Sequence, residues 1–135
     1  MTTFNDDGTM IEDRTQFDLT QEIADAEQKK PWQSGLYAKT LLKKHDLRIV
    51  LINMENAARM KEHHADGTIS VHVLKGQLSF NVQGQTYDLR PGNVFTLAAS
   101  IKHDVESIGD SAYLLTISWP NAQELETMKH RGYGS

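Results

Sequence analysis

Apolar positions along the chain recur mostly with the two-residue period of strands. The run Leu47-Arg48-Ile49-Val50-Leu51-Ile52 is almost unbroken and rich in branched side chains, the pattern of a strand placed centrally in a sheet. Residues 36–42 predict a further strand. Residues 68–74 and 77–82 alternate, with Ile69, Val71 and Val73 on one face, then Leu78, Phe80 and Val82. The Lys75-Gly76 pair between them predicts a hairpin turn. Gln83-Gly84-Gln85 predicts another turn, residues 86–89 a short strand, and Pro91-Gly92 a third turn before a strand over 94–98. Tyr113, Leu115, Ile117 and Trp119 alternate with Leu114, Thr116 and Ser118 until Pro120 ends the run. Short strands separated by glycine-bearing turns at intervals of about 8–12 residues indicate an all-β sandwich or barrel.

The flanks read differently. Residues 1–16 are polar, carry an Asp6-Asp7-Gly8 turn and lack sustained periodicity, so they predict a flexible or loosely docked arm. Over residues 18–30 the spacing is helical: Asp18 or Thr20 can cap, Leu19, Ile23 and Ala26 share a face, and Pro31 stops the run. This helix is expected across the barrel edge or against a partner, with Trp32, beside Pro31, anchoring the N-terminal segment. Residues 121–131 predict a C-terminal helix with Asn121 as cap and Leu125 and Met128 inward, before a frayed end. The expected organisation is an arm over 1–16, one domain over 17–120 and a tail over 121–135.

Composition narrows the function classes. At 135 residues a single core is expected, burying about two-thirds of the unfolded surface. The net charge of −4 lacks the basic footprint of a nucleic-acid binder, and Lys39, Lys43 and Lys44 read as a solvated face. With no cysteine there can be neither a disulfide nor a thiolate metal site, which fits a reducing compartment. No stretch approaches the roughly 20 apolar residues of a membrane span, and no secretory signal pattern opens the chain, so a cytoplasmic protein is expected. No phosphate-cradling glycine loop or Ser/His/Asp nucleophile motif is visible.

The histidines carry the candidate chemistry. Glu62-His63-His64 leads to Val73-Leu74-Lys75-Gly76, and Pro91-Gly92-Asn93 leads to His103. Over residues 36–119 this arrangement resembles the cupin family, whose first motif reads His-any-His, three or four residues, Glu, six residues, Gly. Its second motif ends Pro-Gly-Asp with a histidine about a dozen residues on. The resemblance implies a double-stranded β-helix, or jelly roll, with one open mouth. It also implies a homodimer, with His103 and the segment Glu62 to His64 near the inner wall.

Two registers fit the first motif. Counting back from Gly76, the motif carboxylate falls on Ile69. With the three-residue spacing the two motif histidines fall on His63 and Ala65, leaving His63 and His103 as ligands, too few for the three or four that Zn²⁺ takes from protein. With the four-residue spacing they fall on Glu62 and His64. Together with His103 these make the two-imidazole, one-carboxylate set of non-haem Fe(II) oxygenases. An Asp66-Gly67 bulge could reset the face parity between these registers. His72 has parity opposite to Ile69 and reads as an inter-sheet or interface residue, Asp104 points to solvent, His45 is a turn residue and His130 belongs to the tail.

Phe80, Phe95, Tyr87, Tyr113 and Trp119 read as core or barrel lining, with Phe95 and Met60 as candidates for a pocket wall. The candidate ligand-binding residues are therefore His63, His64, His103, Ile69 and Phe95. The candidate metal ligands are Glu62, His63, His64 and His103 in alternative registers, for a divalent Fe, Mn, Ni or Zn ion at low occupancy. Loss of the motif carboxylate at Ile69 favours a module that binds or senses a small molecule. The rival is a metal-dependent enzyme, dioxygenase-like or isomerase-like, using Glu62, His64 and His103. The strongly apolar strand over 47–52, with the N-terminal helix, exceeds what one small barrel needs, so an isologous homodimer is expected.

Overall fold

Two long strands, each folded over near its middle, organise the molecule. The computed structural model describes residues 13–120, together with the backbone of Thr3–Phe4 and Met10–Ile11. Its elements are β1 (Thr3–Phe4), β2 (Met10–Ile11), α1 (Leu19–Glu27), β3 (Leu36–Lys43), β4 (Leu47–Met54), β5 (Arg59–His63), β6 (Thr68–Val82), β7 (Gln85–Leu89), β8 (Val94–Leu97) and β9 (His103–Ser118). Apart from the β1–β2 pair, the strands form one antiparallel sheet of seven. The first half of β6 pairs with β8 and with the second half of β9, which continues through β4 to β3. The second half of β6 pairs with β7 and with the first half of β9, which also takes β5. Folding β6 and β9 thus lays a five-strand layer on a four-strand layer, an all-β jelly roll.

Both layers feed one core. Val50, Ile52 and Met54 of β4, Ile69, Val71 and Val73 of β6, and Tyr113 and Ile117 of β9 meet Leu78, Phe80 and Val82 of β6 and Val105 of β9. Inward parity on β6 is odd up to Val73 and even from Leu78, so one residue is absorbed between them. The register with β9 shifts between Val73 and Lys75 and again between Lys75 and Gln77. This corrects the hairpin predicted at Lys75-Gly76: β6 runs unbroken through a bulge. A hairpin and a bulge both switch face parity and both accept a positive-φ glycine, so the pattern alone does not separate them. Gly76 has φ of 74°, and a Cβ there would lie 2.3 Å from the Asp110 carbonyl oxygen, so the two folded strands touch backbone to backbone at this corner.

The remaining turns fall where the sequence placed them. The β3–β4 connection carries His45, β6 and β7 join at Gln83-Gly84, and the Asn93 N–H closes the Arg90–Asn93 turn on the Arg90 carbonyl at 2.9 Å. Asp18 caps α1 by accepting from the Gln21 N–H at 3.1 Å. The helix packs against β4, whose outward-facing Leu51 is buried, and Glu22 meets Lys39 of β3 at 2.7 Å. Trp32 is buried and donates its indole N–H to the Ala26 carbonyl at 2.9 Å.

One further expectation changes. β4 is flanked by β3 and β9 and covered on its outer side by α1, so its apolar run is satisfied within the chain and gives no argument for a dimer. Within the expected arm over 1–16, Thr3 pairs with Ile11 and Phe4 with Met10. The Asp6-Asp7-Gly8 turn, the helix over 121–131 and His130 lie outside the described residues. No described helix is long and apolar enough to cross a membrane.

Candidate functional site

At the end of the jelly roll opposite the Gly76 corner, the layers part around a cavity of about 320 Å³. One wall is Ile69 of β6 with Leu115 and Ile117 of β9, the inward-facing positions nearest the strand ends. The other wall is His103, at the start of β9, with Met60 and His63 of β5. Arg48, His64, Ala65, Asp66 and Trp119 complete the rim. A shallower, larger depression, lined by Lys43, Lys44 and His45, continues outward and shares Arg48, Asp66 and Trp119.

His63 enters through an irregularity in β5. Met60 pairs with Val105 and His63 with His103, so three residues on β5 span two on β9 and face parity is reset between them. The bulge thus lies at Lys61-Glu62, not at Asp66-Gly67. The His63 and His103 rings meet edge to face, 4.3 Å between centroids. Each Nδ1 sits against the carbonyl two residues earlier: His63 on Lys61 at 2.6 Å, His103 on Ile101 at 3.0 Å. A carbonyl only accepts, so Nδ1 carries the hydrogen, and in the neutral ring Nε2 keeps the lone pair as the free acceptor.

Burial separates the two rings. His103 is only 5% exposed and stacks on Phe80 at 5.1 Å with 11° between planes, while His63 is half-buried. Desolvation holds the His103 imidazole below its ordinary pKa, the Ile101 carbonyl opposes this, and the neighbouring His63 adds to the lowering. Tyr113, fully buried, donates to the Met60 sulfur at 3.2 Å, and burial pushes its phenol far above its usual range.

The structure gathers His63, His64, Ile69 and His103 at this cavity, but not Glu62 or Phe95. Glu62 is exposed, on the bulged residue beside His63. Phe95 lies one layer back, 5.0 Å from Phe80 and 4.9 Å from Tyr87, so it supports the ring on which His103 stacks. The exposed His64 has its Nε2 3.8 Å from Asp66. Asp104 does not run free into solvent: it accepts from Asn81 at 2.7 Å and faces Arg59 at 3.6 Å. His72 lies half-buried on the outer face, between Val94 and Leu114.

A metal ion, which the cupin resemblance implies, meets a poor donor set here. Among the described residues no three His, Asp or Glu side chains are grouped to hold one. The lining brings His63 and His103 together, with Ile69 where a carboxylate would stand, and His64 and Asp66 on the rim are not grouped with them, so the cluster falls short of the three or four protein ligands of a firm Zn²⁺ site. The residue that sequence reasoning missed is Arg48. It has the inward parity of Val50, Ile52 and Met54, a signal present in the pattern but hidden inside the apolar run.

Comparison with known proteins agrees with this architecture. Residues 49–130 match the family model of the AraC-like ligand binding domain, more than half of the chain. A conserved protein of unknown function from Streptococcus pyogenes is similar in structure, with a TM-score of 0.66, 24% identity, and coverage of 90% of this chain and 98% of that one. A cupin superfamily protein from Desulfitobacterium hafniense aligns with a TM-score of 0.64 at 18% identity over 70% of this chain and 87% of its own. An RmlC-like cupin from Shewanella frigidimarina gives 0.61 at 22% over 67% and 82%. No curated protein matches the sequence. The fold, the folded-over long strands and the matched family model agree: the chain has the fold of the cupin structures it resembles and belongs to the AraC-like ligand binding domain family.

Proposed function

We propose that this barrel is a binding or sensing module that holds a small molecule at its mouth, between the His63–His103 pair and the apolar wall of Ile69, Leu115 and Ile117. The observation that carries the reading is the cavity of about 320 Å³, with two imidazole acceptors facing aliphatic side chains. Such a site pairs an apolar body with a few convergent polar groups, the usual composition of a small-molecule pocket. A metal-dependent enzyme built on Glu62, His64 and His103 has no comparable support, because Glu62 stands outside the cavity.

The test is a small-molecule library screened by NMR on the imidazole resonances. Ligands of the barrel should shift His63 and His103 together and leave His45 unmoved, and His103→Ala should abolish the response. Hits that bind without moving His63 or His103 would overturn the site.

The module is further proposed to work as a cytoplasmic homodimer. The outer face supports the dimer, since Val94 is 59% exposed beside half-buried His72 and Leu114. Light scattering should return twice the chain mass of 15.2 kDa, and a monomer mass at micromolar concentration would sink the proposal.

A further inference from the structure

We infer that the ligand class is an amphiphilic small acid, a carboxylate on an apolar body, held at the barrel mouth by Arg48; this rests on the binding site proposed above. Arg48 pairs across β4 with Lys43 and Ile117. It stands two residues before the core residue Val50, so its stem follows the inner face and its head reaches the rim. The guanidinium carbon lies 5.4 Å from the centre of the Trp119 ring, which holds the plane in place.

Two observations point to an anion. The Arg48 Nε is buried and has no hydrogen-bond partner, which is rare for a buried donor and rarer for one on a permanent cation. Nε lies beside the Nη groups in the rigid fork that matches the two oxygens of a carboxylate. Around it, the rim and the adjoining groove carry Arg48 and Lys43 as fixed cations beside the single carboxylate of Asp66. A neutral ligand satisfies the N–H but leaves this excess positive charge unmatched.

The remaining wall decides the body. Ile69, Leu115, Ile117 and Met60 offer no polar side-chain group beyond a thioether, so they favour a ring or branched hydrocarbon over a compact inorganic anion. With the carboxylate at Arg48, such a body lies toward His63 and His103. Their Nε2 acceptors can then take a hydroxyl or amide donor on the ligand, which gives selectivity among acids.

Benzoate and benzamide test this on the full chain, because they share size and shape and differ in the charge. Calorimetry should show benzoate binding at least about tenfold more tightly, a difference of ~1.4 kcal/mol. The ¹⁵Nε–¹H resonance of Arg48 should shift with benzoate. Arg48→Met should weaken benzoate far more than benzamide and so remove the preference, while Arg48→Lys should keep only part of it, since an ammonium is a point charge without the fork. Should Arg48→Met fail to fold, the Nε resonance of the unaltered protein still decides.

Equal affinity for benzoate and benzamide, with the His63 and His103 resonances moving in both, would overturn the acid class while leaving the barrel site intact. No movement at either histidine with either probe would overturn both readings. Inorganic phosphate shifting Arg48 while benzoate does not would refute the apolar body.

Discussion

At the residue scale, His103 and His63 are cross-strand partners with the same backbone hydrogen-bond pattern, yet only His103 is sealed against Phe80. Its imidazole is therefore harder to protonate folded than unfolded, first through desolvation and then through the nearby His63. The folded-state pKa lies below the unfolded one, so as pH falls below about 6.5 the unfolded chain takes up the proton first and stability is lost, down to the folded pKa. His63, His64 and Asp104 face the same ring, so the effect must be isolated by difference. His103→Phe keeps an aromatic ring against Phe80 and should lack this increment of acid sensitivity. Urea midpoints of both proteins on either side of pH ~6.5 measure it, and parallel pH dependences would refute the assignment. Histidine positions were legible because the spacing of Glu62-His63-His64 and Pro91-Gly92 from their turns resembled a known pattern. Which of His63 and Glu62 faces inward was not, because a one-residue bulge leaves no trace in composition. Arg48 escaped because a lone cation within Leu47–Ile52 reads as an edge of the apolar run, and only strand pairing shows that its parity is inward.

At the element scale, the pattern of apolar residues located β3, β4, β7, β8 and the second half of β9, and the capping at Asp18 located α1. It missed the first half of β9, where His103, Val105 and Ser107 are buried but the polar Asp104 and Glu106 stand between them, so that few apolar side chains mark the strand. It also split β6, because the parity switch at its bulge is shared with a hairpin. The corner has a measurable signature. Gly76→Ala meets both an unfavourable φ and the Asp110 carbonyl at 2.3 Å, which cannot withdraw without moving β9. Gly84 has φ of 81° but nothing within 4 Å of an added Cβ, so Gly84→Ala should cost only the left-handed backbone penalty of about 1–2 kcal/mol. Gly76→Ala should cost clearly more than that, adding the clash to the penalty. Urea denaturation of the two variants compares them directly, and equal losses would mean that β6 and β9 do not approach at the corner as described.

At the scale of the whole molecule, the two ends of the jelly roll are built for different tasks. The cavity end leaves imidazoles and a guanidinium facing open space, whereas the corner end is tied by charge. There Lys30 meets Asp110 at 2.7 Å and Glu27 at 2.9 Å, Lys75 meets Glu27 at 3.1 Å, and the second Asp110 oxygen accepts the Asn56 N–H at 2.9 Å. This network joins the C-terminal end of α1 to the β6 and β9 bends, so the helix is held at the end away from the cavity. Lys30, followed by the Asn56 N–H, holds the Asp110 carboxyl below its usual range, and Lys30 lowers Glu27 likewise. A lowered carboxyl pKa contributes stability that is present above the unfolded value, about 3.9 for aspartate, and is lost as pH falls through the folded one. Acid should therefore loosen the α1 end first. Asp110→Asn keeps the size and should show a shallower loss of stability on acidification, with faster hydrogen exchange for the α1 amides at neutral pH. Benzoate affinity at the opposite end should be unchanged. Benzoate binding that weakens in step with α1 exchange would show instead that the two ends are coupled through β6 and β9, and the separation of tasks would fall.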